Sequence, residues 1–138
     1  MASAYPTPEE SRASTLELFE ATRDLIGGTT WKIDGQWYGT CTLPDGNAGA
    51  RFTRQDGVVS TIDSVTVARQ IADLWESRGY AGVTVELFPD GVGYEVMYPT
   101  DAERRFLQVA ITDFSATIHM SDRCIPGDAD ELTHALVE

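Results

Sequence analysis

The sequence predicts an α+β fold: a two-layer sandwich in which a mainly antiparallel sheet of about five to six strands has two helices packed on one face. Three observations predict it. Two stretches, about 8–27 and 63–78, place apolar residues at helical spacing. Several shorter stretches alternate apolar and polar residues, which is typical of strands with one covered face. Turn sequences rich in Gly, Pro and Asp separate these stretches.

The length of 138 residues predicts one domain. We expect residues 1–7 to form a disordered spacer and residues 8–127 to form a single α+β domain. Residues 128–138 are expected to be a C-terminal tail, with a short helix from about Asp128 as one option. The sequence contains no internal repeat that would indicate a second unit.

The first helix is predicted over about residues 8–27. Thr7 is the expected N-cap, Pro8 occupies the first helical position, and Glu10 completes a capping box. Gly27 and Gly28 are expected to end the helix. Its helical spacing is carried by Leu18, Phe19, Thr22, Leu25 and Ile26.

The segment "TWKIDGQWYGTC" is expected to be extended. Asp34-Gly35 predicts a tight hairpin turn between residues 31–33 and 36–38. "LPDGNAG" predicts a loop, "ARFTR" a short strand, and "QDG" another turn.

The second helix is predicted from about Asp63 to Arg78, with Gly79 ending it. Four strands are then predicted as a meander, in "GVTVELF", "GYEVMY", "RRFLQVAI" and "FSATIHM", the last two joined near Thr112-Asp113. Together with the first helix, this order favours two helices on one face of an antiparallel sheet.

Charge limits the classes of partner. The chain carries 22 acidic and 10 basic side chains, for a net charge of −12. Nucleic acid is therefore not expected as a partner, because binding it requires Lys and Arg against phosphates. An anionic membrane surface is disfavoured for the same reason, whereas a basic protein partner is favoured by faster encounter. The simpler alternative is that the acidity only keeps the protein soluble.

The start of the chain has the composition of a spacer. "AYPTPEES" is similar to the polar segment that remains after an export signal is removed, and "MAS" is similar to an added start. No run of 18 apolar residues occurs, so no membrane-spanning helix is expected.

The two cysteines, Cys41 and Cys124, each lie next to a loop. Cys41 follows the first strand region and Cys124 follows the last strand, so an antiparallel sheet can bring them together. Two free core thiols are the alternative, but both cysteines lie among polar and turn residues, where a reduced thiol would be exposed and oxidisable. The sequence therefore favours a disulfide and, through it, export. Zinc is not expected, because the cysteines and histidines do not fall at ligand spacing.

No catalytic motif is present. His119 and His134 lie outside any known hydrolase or metalloprotease pattern. The carboxylates lie at predicted helix starts, turns and the tail, where solvated surface groups are the ordinary explanation. No catalytic residue, metal or cofactor is therefore expected. Trp37 and Tyr38, beside Gly39, are candidate contacts with a protein or a sugar, against the alternative that these rings pack in the core.

The chain also resembles a known family. "PTPEESRASTLELFEATRDLIGGTTW", "CTLPDG", "IADLWESRGY" and "SDRCIPGD", in this order, are similar to small secreted lipoproteins of actinobacteria. The resemblance covers nearly the whole chain, and "CTLPDG" and "RCIPGD" are its most specific motifs. It implies an exported, envelope-anchored domain with a Cys41–Cys124 bridge and supplies no catalytic residues. The lipid-bearing cysteine of such proteins is not in this sequence.

These observations together predict a non-enzymatic cell-envelope domain that binds a protein or an envelope ligand. We expect it outside the cell or on the outer face of the cytoplasmic membrane, with membrane contact only through an N-terminal lipid anchor absent from this chain. The alternative is an acidic inhibitor or immunity-type protein that binds a basic protein. A small enzyme is supported only by the abundance of carboxylates.

Overall fold

The computed structural model of the chain describes residues 5–28, 30–101, 103 and 105–136, with the backbone alone at position 34. It confirms the α+β fold, with helices α1 and α2 on one face of an antiparallel sheet. Residues 1–4 of the predicted spacer lie outside the described residues. No helix among the described residues is both long enough and apolar enough to cross a bilayer.

The elements follow the order helix, two strands, helix, five strands, helix. Their bounds are α1 Pro8–Ile26, β1 Lys32–Thr42, β2 Ala48–Val59, α2 Ser64–Ser77, β3 Thr84–Leu87, β4 Gly93–Tyr98, β5 Phe106–Thr112, β6 Ser115–Ser121, β7 Ile125–Pro126 and α3 Ala129–Ala135. The strands form one seven-stranded sheet in the order β1-β2-β6-β5-β4-β3, and the two-residue strand β7 pairs with β2.

The N-terminal signals of α1 are confirmed. The side chain of Thr7 accepts a hydrogen bond from the backbone N–H of Glu10, and the side chain of Glu10 accepts one from the backbone N–H of Thr7. This capping box satisfies two amide groups that the helix leaves unpaired. Gly27, at a φ of +79°, ends the helix.

The predicted hairpin at residues 34–35 is wrong. Strand β1 runs through this point and shifts register between Ile33 and Gly35, which is a β-bulge. A turn there would pair three residues with three, whereas the continuous strand pairs with β2 from Lys32↔Gly57 to Thr42↔Ala48. The longer ladder satisfies more backbone groups, so it prevails over the local turn signal.

The turn predicted at "QDG" is also wrong, because β2 continues to Val59. Gln55 pairs with both Gly35 on β1 and His119 on β6, so β2 is a central strand there. Asp56 is 0% exposed and lies on the helix-covered face. Its carboxylate accepts bonds from Arg54 at 2.8 Å and Arg23 at 3.3 Å, so the buried charge is paired on both sides.

The main core lies between the sheet and helices α1 and α2. Trp75 of α2 is fully buried, and its Nε1 donates to Thr22 Oγ1 of α1 at 3.1 Å. A second, smaller cluster joins α3 to the sheet and consists of Tyr38, Ala50, Phe52 and Ala129.

The short C-terminal helix is present as α3, and it covers the outer edge of the sheet. Asp128 accepts from the backbone N–H of Glu131 at the helix start. Thr133 Oγ1 accepts from Tyr38 N at 2.8 Å and donates to Tyr38 O at 3.2 Å, so the side chain takes the place of a neighbouring strand. The opposite edge strand, β3, is exposed at all four residues.

Candidate functional site

A disulfide bond joins Cys41 and Cys124, with a Cα–Cα distance of 6.0 Å. The alternative of two free thiols is therefore wrong: the chain contains no free cysteine. Cys41 lies near the end of β1 opposite Gly49, and Cys124 lies between β6 and β7. The bond thus ties the edge strand to the segment that follows the last long strand, across the start of β2.

Gly49 makes room for this bond. A Cβ atom at position 49 would lie 2.8 Å from Cys124 Sγ and 2.6 Å from the carbonyl oxygen of Ile125. Both distances are shorter than van der Waals contact, so only glycine fits without moving the bridge. The backbone conformation itself does not demand glycine here, since the constraint is the space beside the sulfur.

A cleft of about 700 Å³ opens beside the disulfide. The two sequence motifs around the cysteines form much of its wall, and three charged side chains complete it. Its lining is Tyr5, Thr40, Cys41, Thr42, Leu43, Pro44, Arg51, Glu103, Arg123 and Cys124. We call it the disulfide cleft.

The charged groups of the disulfide cleft form a network at one side. Arg123 donates to Glu103 Oε2 at 2.6 Å, and Arg105, just outside the cleft, donates to Glu103 Oε1 at 2.8 Å. The hydrogen bond from Arg123 lowers the pKa of Glu103 below its ordinary value, with Arg105 contributing in the same direction. The Arg123 guanidinium also lies 5.8 Å from the centre of the Tyr5 ring.

The second guanidinium of the disulfide cleft belongs to Arg51 on β2. It lies on the face of the sheet not covered by α1 and α2, the same face as His119 on β6. Burial lowers the pKa of His119, and the positive charge of Arg51 lowers it further. Both effects favour the neutral imidazole, which packs edge-on against Phe106 with ring centres 5.0 Å apart.

The structure separates the predicted Trp37–Tyr38 pair. The Tyr38 ring is buried, meets Phe52 edge-on at 5.4 Å, and its hydroxyl donates to the carbonyl oxygen of Pro8 at 3.1 Å. This burial raises the pKa of Tyr38. Trp37 points to the other face and remains 37% exposed. The sequence could have predicted this separation, because neighbouring residues on a strand point to opposite faces of the sheet.

Trp37 lies in a shallower hollow of about 410 Å³ between β1 and α3. Asp130, Thr133 and His134 of α3 and Tyr38 line the rest of it. The His134 ring bonds to the carbonyl oxygen of Asp130 at 2.8 Å within the helix, so this histidine is a helix-surface group. The described residues contain no cluster of three or more His, Cys, Asp or Glu side chains placed to hold a metal.

Sequence reasoning did not find Arg51, Glu103 or Arg123 as site residues. Arg51 and Glu103 are far apart in the chain and belong to no motif, so only the sheet topology brings them together. The sequence did contain a hint for Arg123, because this residue precedes Cys124 within the "RCIPGD" motif.

Comparisons with known proteins give one informative match. No protein-family model matches the chain. No curated protein matches it either. Among solved structures, the chain is similar to the crystal structure of a DUF4853 family protein from Actinomyces odontolyticus ATCC 17982, with a TM-score of 0.53 and 15% identity over 92% of this chain and 76% of that one. At this identity the likeness concerns the fold alone. The chain thus shares its α+β fold with an actinobacterial protein whose designation names no activity.

Proposed function

We propose that this chain is a non-catalytic domain exposed on the outer face of the cytoplasmic membrane, and that it binds an anionic envelope ligand in the disulfide cleft. One observation carries the proposal: a chain with a net charge of −12 places two guanidinium groups and one carboxylate around the disulfide cleft. Two of the three charged side chains on this lining are thus positive, in contrast to the chain as a whole, and a pair of guanidinium groups favours an anion.

The disulfide supports an exported setting. Disulfides form and persist in oxidising compartments outside the cytosol, and the Cys41–Cys124 bond forms one wall of the proposed site. The sequence resemblance to secreted lipoproteins agrees with this setting.

The chemistry of the disulfide cleft favours binding over catalysis. Glu103 is held by two arginines and its pKa is lowered, so it stays ionised and is poorly suited to exchanging protons near neutral pH. The guanidinium groups do not lose protons in this range. The remaining polar lining consists of hydroxyl groups, such as those of Thr40 and Thr42.

The ligand group that this lining fits best is a carboxylate. A guanidinium presents paired N–H donors that match the two oxygens of a carboxylate. The Tyr5 ring and Leu43 add apolar surface, and the threonine hydroxyls add donors and acceptors for neighbouring hydroxyl groups. Both an acidic sugar and a peptide C-terminus offer this combination.

The test is a titration of the oxidised full chain followed by two-dimensional ¹H–¹⁵N NMR. The probes are trigalacturonate, its neutral galactose counterpart, trialanine and trialanine amide. We expect shifts around residues 40–44, 51 and 123–124 with at least one carboxylate probe and weaker ones with its neutral partner. Trigalacturonate alone would indicate an acidic glycan, and trialanine alone a peptide terminus.

Variants locate the interaction. Arg51→Gln and Arg123→Gln are each expected to weaken binding about tenfold, the effect of losing about 1.4 kcal/mol. Arg69→Gln is the control, because it removes the same charge from an exposed position on α2. Equal losses in all three variants, or equal binding of charged and neutral probes, would contradict the proposal.

A further inference from the structure

Most of the large hydrophobic side chains that the fold leaves exposed lie at the end of the sheet opposite the disulfide cleft. Five of them come from segments that meet at this end: Val59 is 84% exposed, Val65 44%, Leu87 56%, Val92 61% and Phe114 70%. They come from the end of β2, the start of α2 and the turns β3–β4 and β5–β6. We call these five residues the apolar rim.

Backbone and side-chain contacts connect the segments of the apolar rim. Ser60 N donates to Phe114 O at 3.0 Å, which brings the end of β2 to the β5–β6 turn. Ser64 Oγ donates to Asp113 Oδ1, which brings the start of α2 to the same turn. Gly93 pairs with Thr112, and Phe88 N donates to Gly93 O at 2.8 Å, which adds the β3–β4 turn. The segments therefore meet at one end of the sheet, where Leu87 shares the helix-covered face with Val58 and Val59 points to the opposite face.

The two turns of the apolar rim are built by specific bonds. Thr112 Oγ1 accepts from the backbone N–H groups of Phe114 and Ser115, at 3.1 and 3.0 Å. Asp90 Oδ1 accepts from Val92 N at 3.0 Å, and Gly91 adopts a φ of +73°. Because these bonds already order the backbone of both turns, little conformational entropy is lost when a partner covers them, which favours binding.

Charge indicates what covers the apolar rim. The three segments that form it, residues 59–65, 87–93 and 112–115, contain Asp63, Asp90 and Asp113 and no Lys or Arg. All three aspartates are exposed. A second copy of the chain would bring another net charge of −12 against them, and an anionic membrane would also be repelled. A surface with apolar residues bordered by cations matches both features.

We propose that the apolar rim is the docking surface of a protein partner whose own apolar patch is bordered by lysine or arginine. This proposal does not rest on the disulfide cleft. Strand β2 runs from Gly49 at the cleft to Val59 at the rim, and ten strand steps span about 33 Å. The two surfaces are thus accessible at the same time.

The experiment uses a defined basic amphipathic probe with the oxidised full chain. An 18-residue helical peptide of leucine and lysine is titrated while ¹H–¹⁵N spectra are recorded, and a leucine–glutamate peptide of the same pattern serves as its charge control. We expect shifts confined to residues 59–65, 87–93 and 112–115 with the lysine peptide alone. Binding should weaken as salt is added.

Two sets of variants test the apolar and the charged parts separately. Val59→Ser combined with Phe114→Ser is expected to weaken binding about tenfold or more, whereas Trp37→Ser, which changes an exposed side chain opposite Thr53 and away from the rim, leaves it unchanged. The triple variant Asp63→Asn, Asp90→Asn, Asp113→Asn is expected to lose about fivefold. Its control, Asp73→Asn with Glu76→Gln and Glu131→Gln, makes the same change in net charge at exposed sites elsewhere.

Three outcomes would overturn the proposal. Shifts centred on other residues, or no shifts, would mean that the rim does not select a basic apolar surface. Equal losses in the triple variant and its control would mean that only net charge matters. Concentration-dependent shifts at the rim without peptide would assign the surface to a second copy of the chain.

Discussion

At the scale of single residues, Asp56 shows how this acidic chain handles a buried charge. The carboxylate is fully buried and paired with Arg54 and Arg23, and Arg54 also lies over the Phe19 ring at 5.3 Å. Removing one member of a buried ion pair is costly, because the other member is left as a buried charge without a partner. Asp56 is therefore expected to be far more sensitive to substitution than the exposed acids.

Replacement of Asp56 is the first prediction. Asp56→Ala should lower the free energy of unfolding by about 3–5 kcal/mol, because Arg54 is left nearly buried without its carboxylate. The measurement is urea unfolding of the oxidised protein. Glu17→Gln is the control, since its ion pair with Arg78 is exposed, and its loss should be below about 1 kcal/mol. Equal losses of unfolding free energy in the two variants would mean that burial does not make the Asp56 ion pairs more important than an exposed one.

Glu103 gives a prediction about pH. Its pKa is lowered in the folded protein, so its ionised form stabilises the fold above the ordinary pKa of 4.5. That stabilisation is lost as the pH falls through the lowered folded value. The stability difference between the native protein and Glu103→Gln should therefore be largest near neutral pH and should shrink in acid. Thermal unfolding of both proteins from pH 7 to pH 3 measures it, and a constant difference would contradict the assignment.

At the scale of elements, the sequence predicted the helices better than the first two strands. The capping box of α1 and the glycines after α1 and α2 are local signals, and the structure contains both helices close to the predicted bounds. The Asp-Gly pair at 34–35 is a local signal too, but long-range pairing of β1 with β2 turns it into a bulge. The disulfide cleft was harder to predict, because only the topology brings Arg51 and Glu103 to the same cleft.

The edge of β1 provides the prediction at this scale. Thr133→Val should lower the free energy of unfolding by about 1–2 kcal/mol, because Tyr38 N and O lose their partner at the strand edge. Amide exchange at Tyr38 should become faster. Thr66→Val, at an exposed position on α2, is the control. Unchanged exchange at Tyr38 would show that α3 does not act as a substitute strand.

At the scale of the whole molecule, the disulfide closes most of the chain into one loop. It joins residues 83 positions apart, so it restricts the unfolded chain strongly. The chain also carries a net charge of −12, whose self-repulsion favours expansion once the bond is opened. Both effects make the oxidised state the more stable one.

The last prediction concerns removal of the disulfide. The variant Cys41→Ser with Cys124→Ser should lose about 4.5 kcal/mol of unfolding free energy, by the loop-closure estimate. Urea unfolding in low salt measures it, and added salt should recover part of the loss by screening the acidic side chains. A loss below about 1 kcal/mol would show that the sheet alone holds the two segments together.

The position of the helix α1 start has a practical consequence for sensor design. Pro8 lies at the cleft end of the sheet, where its carbonyl oxygen meets Tyr38, and Tyr5 lines the cleft itself. A protein captured on a chip through its first residues would hold the disulfide cleft next to the support and present the apolar rim to the flowing sample.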